Sequence, residues 1–277
     1  MNSRQAETVS ELLQQVEIIR VGSQTAAADT DVVVPEYALH LSVNGRALAT
    51  LMCLPEALQE LITGFLISEG LIRSVESIES ITISHAAGEA AVSLTSEAEL
   101  PLQLYGKRTI HTGCGSPSLF PRTLDSLRSR TVPASTPLPV SSLFTAMRRF
   151  QHSSSLFGRT GGVHSAAIYF GGSIRFFRED VGRHNAVDKV AGEAAINKVP
   201  GSECALLSSG RISSDLVTKA AIHGIPIVAS RSAPTGRAVE IARSLHIGLA
   251  GFVRGRRMNI YSGVERFDTT FEREDEP

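Results

Sequence analysis

One cysteine in this chain differs from the other two in its neighbours. Residues 107–117 read Lys-Arg-Thr-Ile-His-Thr-Gly-Cys-Gly-Ser-Pro, so Cys114 stands between Gly113 and Gly115, with Lys107, Arg108 and His111 just before it. Flanking glycines admit unusual backbone angles and the close approach of a partner. Nearby cations favour thiolate over thiol, and thiolate is the reactive form. This pattern suits a nucleophile that takes sulfur from one protein and passes it on; the competing reading is an inert surface cysteine. Cys53 ends the apolar run Leu51-Met-Cys-Leu54, and Cys204 opens Cys204-Ala-Leu-Leu207. Both are expected as small buried hydrophobes.

A second chemistry is anion binding. Residues 179–189, Glu-Asp-Val-Gly-Arg-His-Asn-Ala-Val-Asp-Lys, form a turn into a helix. Free N–H groups at a helix start attract anions, so Arg183, His184 and Asn185 are expected to meet a phosphate or a base. A capped helix start with a salt bridge is the plainer alternative. Asp180 and Gly182 join this candidate set, Asp180 as an acceptor for the N–H groups of a base. Two further stretches follow strands and open helices: Ser208-Ser-Gly-Arg211, with Ser209, Gly210 and Arg211, and 230–237, with Ser232. Neither has the Gly-Lys-Ser/Thr ending of a Walker loop. After the last expected strand come Phe252, Val253, Arg254, Gly255, Arg256 and Arg257. The planar fork of arginine matches phosphate geometry, so this is an expected local anion site, with a basic turn as the plainer alternative.

The elements that must hold these residues are read from periodicity. Alternating runs at 37–43 and 47–52 around Asn44-Gly45 predict a hairpin. Leu58, Leu61, Ile62, Phe65 and Leu66 form one helical stripe, with Pro55 at the expected first turn and Gly70 as the stop. Short strands are expected over 80–104 and a hairpin over 166–170 and 173–177. Helices at 185–197, 214–223 and 236–245 alternate with strands at 205–207, 225–229 and 248–252. This rhythm is that of an α/β (overall α+β) chain, with a largely parallel sheet covered by helices. In such sheets ligands bind where strands end and helices begin. Pro133, Pro137 and Pro139 mark a linker. The expected organisation is a flexible arm over 1–30, a smaller β-rich N-terminal domain over 31–135 carrying the cysteine loop 107–118, an α/β domain over 136–265, and an acidic tail over 266–277.

Composition narrows the classes further. The 277 residues carry 27 Lys plus Arg against 28 Asp plus Glu, a net charge of −1, which argues against a general nucleic-acid binder. Three widely spaced cysteines argue against a disulfide framework and for a reducing compartment. No stretch nears the roughly 20 apolar residues of a membrane span, and the first residues lack a signal-peptide core, so a cytoplasmic location is expected.

Taken in order, several segments resemble the FdhD/NarQ family of formate dehydrogenase accessory sulfurtransferases. They are Gly64-Phe65, Ser68-Glu-Gly70, Thr112-Gly-Cys-Gly115, Thr160-Gly-Gly-Val-His164, residues 179–189, Ser209-Gly-Arg211, Ser232-Ala-Pro234 and Gly251-Phe-Val-Arg254, and the likeness continues to Tyr261. The resemblance implies a sulfur carrier that receives a persulfide on Cys114 from a cysteine desulfurase. It implies binding of the molybdenum cofactor in its bis-molybdopterin guanine dinucleotide form and delivery of sulfur to the metal before the cofactor enters formate dehydrogenase. Cofactor binding is associated with the segment matching 252–257. The resemblance also implies a homodimer and a cytidine-deaminase-like, three-layer second half. Many members carry Cys-x-x-Cys in the active loop; here Ser116 and Pro117 follow Gly115. A non-catalytic molybdenum-cofactor-binding chaperone is therefore the alternative function. No zinc site is expected: His164 lacks the following Glu of deaminases, and there is no Cys-x-x-Cys.

Overall fold

The computed structural model describes residues 12–95, 109–110, 132 and 134–270. The chain opens with a hairpin, β1 (Gln14–Val21) and β2 (Ala26–Val33), paired antiparallel from Gln14↔Val33 to Val21↔Ala26. This corrects the expected flexible arm in its second half. The strands escape notice because both are exposed along nearly their whole length and β2 is largely Ala and Asp.

A first sheet follows. β3 (Tyr37–Val43) and β4 (Arg46–Cys53) are joined at Asn44-Gly45, where both φ angles are positive, at 48° and 74°. That is the geometry of a type I′ turn, whose twist matches that of the strands. β5 (Ile78–Ser84), β6 (Glu89–Leu94) and the two-residue β7 (Thr109–Ile110) complete the order β5-β6-β3-β4-β7. β7 runs parallel to β4, with Thr50↔Thr109 and Leu51↔Ile110. The inward residues alternate along the strands: Leu39, Leu41 and Val43; Leu51 and Cys53; Ala90, Val92 and Leu94. They pack on the predicted stripe of α1 (Leu58–Ser68). α1 begins three residues after Pro55, with Ala57 at φ 52°. Leu54 is tied at its amide to Asp180 and at its carbonyl to Lys189, which holds the chain in a bend before the helix can start.

The second half is built on a six-stranded sheet. The expected linker enters it as β8 (Leu138–Pro139), followed by α2 (Val140–His152) and the short α3 (Ser155–Thr160). Then come β9 (His164–Phe170), β10 (Ser173–Asp180), α4 (Arg183–Ile196), β11 (Ala205–Ser208), α5 (Ser214–Ile222), β12 (Ile227–Ser230), α6 (Gly236–Ser244), β13 (Gly248–Arg254) and β14 (Arg257–Ser262). The order is β10-β9-β11-β12-β13-β14; β11, β12 and β13 are parallel, as the rhythm predicts, and antiparallel strands flank them. Side chains at Ala166, Ile168, Leu206, Val228 and Leu249 meet α4, α5 and α6. The alternate positions Ala167, Tyr169, Leu207, Ala229 and Ala250 meet α2 on the other face. Helix, sheet and helix thus form three layers. β15 (Phe267–Asp268) pairs with β8, and buried Arg266 donates to the Val132 and His246 carbonyls. Residues 266–268 are therefore structural, which corrects the expected start of the tail; residues 271–277 lie outside the described residues.

The two sheets meet through α1 and α4. A Cβ built on Gly64 of α1 would stand 1.9 Å from the Asp188 carbonyl oxygen, and one built on Gly192 of α4 would stand 2.0 Å from that of Glu60. Two helices with ordinary side chains at their crossing keep their axes about 8–10 Å apart. Glycine on both lets the backbones touch. Because the obstructing atoms are backbone, Gly64→Ala or Gly192→Ala should cost at least the upper part of the usual overpacking range, about 3 kcal/mol. A urea melt of each variant checks this; a midpoint equal to wild type would contradict the contact.

Candidate functional site

The chemistry-bearing residues gather where β11, β12 and β13 end. β9 is antiparallel to β11, so its first residue, His164, comes to the same edge; β10 is antiparallel to β9 and ends there with Asp180, opposite His164. The loops after the parallel strands are fastened in series. The Ser230 hydroxyl donates to the Gly210 carbonyl at 2.6 Å, the Ile212 amide to the Ala233 carbonyl at 3.0 Å, and the Phe252 amide to the Ser232 carbonyl at 3.1 Å. Arg254 Nε donates to the Arg231 carbonyl at 3.0 Å. Gly210 sits under Arg183: an added Cβ would meet Arg183 Cδ at 3.2 Å and His164 Nδ1 at 3.5 Å. Residues from four distant stretches of sequence therefore share one rim.

The rim is cationic although the chain is not. Arg211, Arg231, Arg254, Gly255, Arg256 and Arg257 are exposed, and Arg183, His184, Ser209 and Ser232 are half-buried. The β13–β14 turn is Gly255-Arg256. Phe252, on a bulge of β13, has φ 53°, is 40% exposed, and lies 5.9 Å from the Arg254 guanidinium carbon. Arg231 was not among the residues singled out from sequence; its position directly after β12 was the available signal.

Several sequence expectations fail at this edge. Asp180 is fully buried and cannot read a base. Its Oδ2 accepts from the Leu54 amide at 3.0 Å and pairs with Lys189 Nζ at 2.7 Å; its Oδ1 accepts from the Gly182 amide at 2.9 Å and Asn185 Nδ2 at 3.0 Å. Gly182 is buried too, with its amide spent on Asp180. Asn185, expected to face a ligand, is 8% exposed and donates inward to the Met52 carbonyl at 2.7 Å. Val253 is fully buried on the α2 face, because strand alternation turns it away from its neighbours Phe252 and Arg254. The helix starts of α5 and α6 are capped from within the chain, by Ser213 on the Leu216 amide and Thr235 on the Ala238 amide.

Beneath the rim lies a second buried pair. Asp188 takes Lys219 Nζ at 2.8 and 2.6 Å and the Ser68 hydroxyl at 2.7 Å, and Ser68 Oγ lies 3.1 Å from His223 Nε2. Burial alone would lower the Lys219 ammonium, but Asp188 and Glu69 outweigh it and hold the group above the ordinary lysine value. Removing one partner of such a pair typically costs about 3–5 kcal/mol, since a buried charge is left alone. Lys219 was missed from sequence; Lys189 closes the 179–189 segment, and its pair with Asp180 is the salt bridge that the plainer reading of that segment expects.

His164 and His184 at this edge, and His223 at the far end of α5, are all held below the ordinary histidine value. Burial, then Lys219, Arg183 and His164, push His184 down to about 3, and burial with Lys219 pushes His223 down to about 4. Burial and Arg183 also lower His164. His184 Nε2 lies 3.1 Å from Ser213 Oγ, and His164 Nδ1 lies 3.4 Å from Ser209 Oγ. Of the cysteines, Cys53 and Cys204 are buried, and burial pushes both thiols up to about 12, as expected of core residues. Cys114, with Lys107, Arg108 and His111, lies outside the described residues.

Comparison with known proteins decides the lineage. A family model described as the FdhD/NarQ family matches residues 34–268. The chain belongs to the FdhD/NarQ family. A Halalkalibacterium halodurans relative named sulfur carrier protein FdhD is 41% identical over 254 residues, covering 91% of this chain and 94% of its own. One of the same name from Listeria monocytogenes serotype 4b is 40% identical over 236 residues, covering 84% and 90%. The crystal structure of a candidate formate dehydrogenase accessory protein from Desulfotalea psychrophila superposes with a TM-score of 0.76 at 27% identity, covering 92% of this chain and 99% of that one. The FdhD/NarQ match spans both sheets and every described rim residue. Among the described residues no helix is long and apolar enough to cross a membrane.

The depressed histidines give this FdhD/NarQ chain a defined pH response. An unfolded histidine takes up a proton near pH 6.5, whereas folded His184 and His223 do so only near 3 and 4. Between those values the unfolded chain binds more protons, so stability is full above about pH 6.5 and falls as pH drops, by at most about 1.4 kcal/mol per pH unit for each histidine. Urea midpoints should fall from pH 7 to pH 5 in the wild type and fall less steeply in His184→Gln. Parallel pH dependence in the two proteins would count against a buried neutral His184.

Proposed function

We propose that this chain is the sulfur carrier of formate dehydrogenase maturation in its cell. It takes sulfur from a cysteine desulfurase on Cys114 and passes it to the molybdenum cofactor, bound as bis-molybdopterin guanine dinucleotide, before that cofactor enters formate dehydrogenase. In the loading step the Cys114 thiolate attacks the outer sulfur of the desulfurase persulfide, forming one S–S bond as another breaks and releasing the donor's thiolate. Family membership supports the role. The observation that carries the reading to this molecule is the edge where β11, β12 and β13 end, with Arg183, Arg211, Arg254 and Arg256 around Ser209, Gly210 and Ser232. Arginine forks there suit a diphosphate, and the exposed Phe252 ring offers a flat face for a base. Asp180 has no part in reading the guanine. The two histidines beside Arg183 are held below the ordinary histidine value, so the positive charge of the rim is that of its arginines.

β7 bears on the same reading. Its last residue, Ile110, stands four positions before Cys114 in sequence. The strand runs parallel to β4, whose own end at 52–54 is tied to Asn185, Asp180 and Lys189. The described chain before the cysteine loop thus points toward the end of the first sheet that abuts the rim.

Two outcomes test the proposal. Cys114→Ala should abolish formate dehydrogenase maturation and persulfide loading, the latter read by mass spectrometry after incubation with a desulfurase and cysteine. Cys53→Ala and Cys204→Ala should load normally. Maturation that persists in Cys114→Ala would remove the sulfur-carrier reading, and loading on Cys53 or Cys204 instead would remove the assignment of the carrier.

Calorimetry tests the pocket. GDP should bind more tightly than ADP, and replacing Arg254 and Arg256 together with Ala should weaken GDP by about 1.5–3 kcal/mol, the scale of hydrogen bonds to charged groups. Equal affinity in wild type and double variant would take the β13–β14 turn out of the site.

A further inference from the structure

The buried polar node at the start of α4 joins the two sheets at one point. Asn185 Nδ2 reaches the Met52 carbonyl at 2.7 Å and Asp180 Oδ1 at 3.0 Å, across sequence gaps of 133 and 5 residues. Asp180 Oδ2 holds the Leu54 amide at 3.0 Å, and Lys189 Nζ holds the Leu54 carbonyl at 3.3 Å. Both sides of Leu54 and the carbonyl of Met52 are thereby fixed to β10 and α4.

Met52 follows directly after the last residue of β4 that pairs with β7, since Leu51↔Ile110 is the final rung. Among the described residues β7 has two residues and pairs only with β4, so its placement follows that of β4. The opposite side of the node carries the rim: Gly182 leads into Arg183, and Arg183 packs on Gly210, whose carbonyl holds the Ser230 hydroxyl. One side-chain amide thus sits between the strand pair that precedes the cysteine loop and the helix start that faces the anion rim. An apolar side chain of similar volume at 185 would leave the Met52 carbonyl and an Asp180 oxygen short of a donor. Asn185 instead specifies distance and direction, because an amide donor must meet a carbonyl along a defined line.

We propose that Asn185 is a positioning residue for sulfur transfer. Through the Met52 carbonyl it sets β4 and β7 in register with α4, and so fixes where the chain that leads to Cys114 sets out relative to the rim. It touches neither sulfur nor cofactor. The inference rests on the sulfur-carrier reading above and concerns the hand-over alone.

Three measurements on full-length Asn185→Ala separate this role from others. Persulfide loading by a desulfurase and GDP affinity should stay within about twofold of wild type, while formate dehydrogenase maturation falls on the order of tenfold or more, the scale expected when reacting groups are misplaced by an ångström. Hydrogen exchange should quicken in peptides covering 50–54 and 109–110 and stay unchanged in β12 and α5. Maturation at the wild-type level would overturn the proposal. So would a loss of loading, GDP binding and thermal stability together, which is the mark of a merely structural role. Asn185→Ser, shorter by an atom and still polar beside Asp180, carries the same measurements if the alanine variant does not fold. Wild-type protein that takes no sulfur on Cys114 would instead defeat the carrier reading and leave the exchange result to judge the register.

Discussion

The Asp180–Lys189 pair is the constraint on which the arrangement of the two sheets depends. Both side chains are fully buried, and 2.7 Å separates carboxylate from ammonium. Charges so far from water are tolerated only when their remaining hydrogen-bonding capacity is met. Here it is met by backbone from both halves of the chain: the Leu54 amide and carbonyl on one side, the Gly182 amide and Glu179 carbonyl on the other. Neither half can move away without stranding a charge. Buried pairs of this kind typically add little net stability, while losing either partner strands the other.

The glycine crossing of α1 and α4 works with this pair. Backbone contact at Gly64 and Gly192 brings the helices close enough for Ser68 to reach Asp188 and for Lys219 to lie near Glu69. Wider spacing would leave a carboxylate and an ammonium short of partners. Small residues at the crossing and long charged residues beside it are thus one device. It also bears on the rim, because Arg183 and His184 are the first residues of the helix that this crossing positions.

Much of this was legible in the sequence, and the remainder was hidden for identifiable reasons. Turn chemistry at Asn44-Gly45, the parallel order of β11, β12 and β13, and the polar residues at their ends follow from local pattern. Asp180 was misread because its partner Leu54 lies 126 residues away, and nothing local distinguishes a carboxylate that faces a ligand from one that faces a distant backbone. Val253 lies within an arginine-rich stretch, yet β13 continues to Arg254 and turns it inward. The hairpin at 14–33 has too few buried side chains to impose a visible period. Asn185 looked like a helix-start polar residue and proved to be a link between sheets.

Phe252 allows one more conclusion about how this chain has been shaped. A bulky residue in the left-handed region costs of order 1–3 kcal/mol, which glycine would avoid. The ring recovers only part of this by burial, since it is 40% exposed. Selection for thermostability alone would favour glycine at 252, and a screen for more stable variants of this protein would be drawn to that position first. The aromatic ring at this bulge therefore combines backbone strain with a half-open face toward solvent.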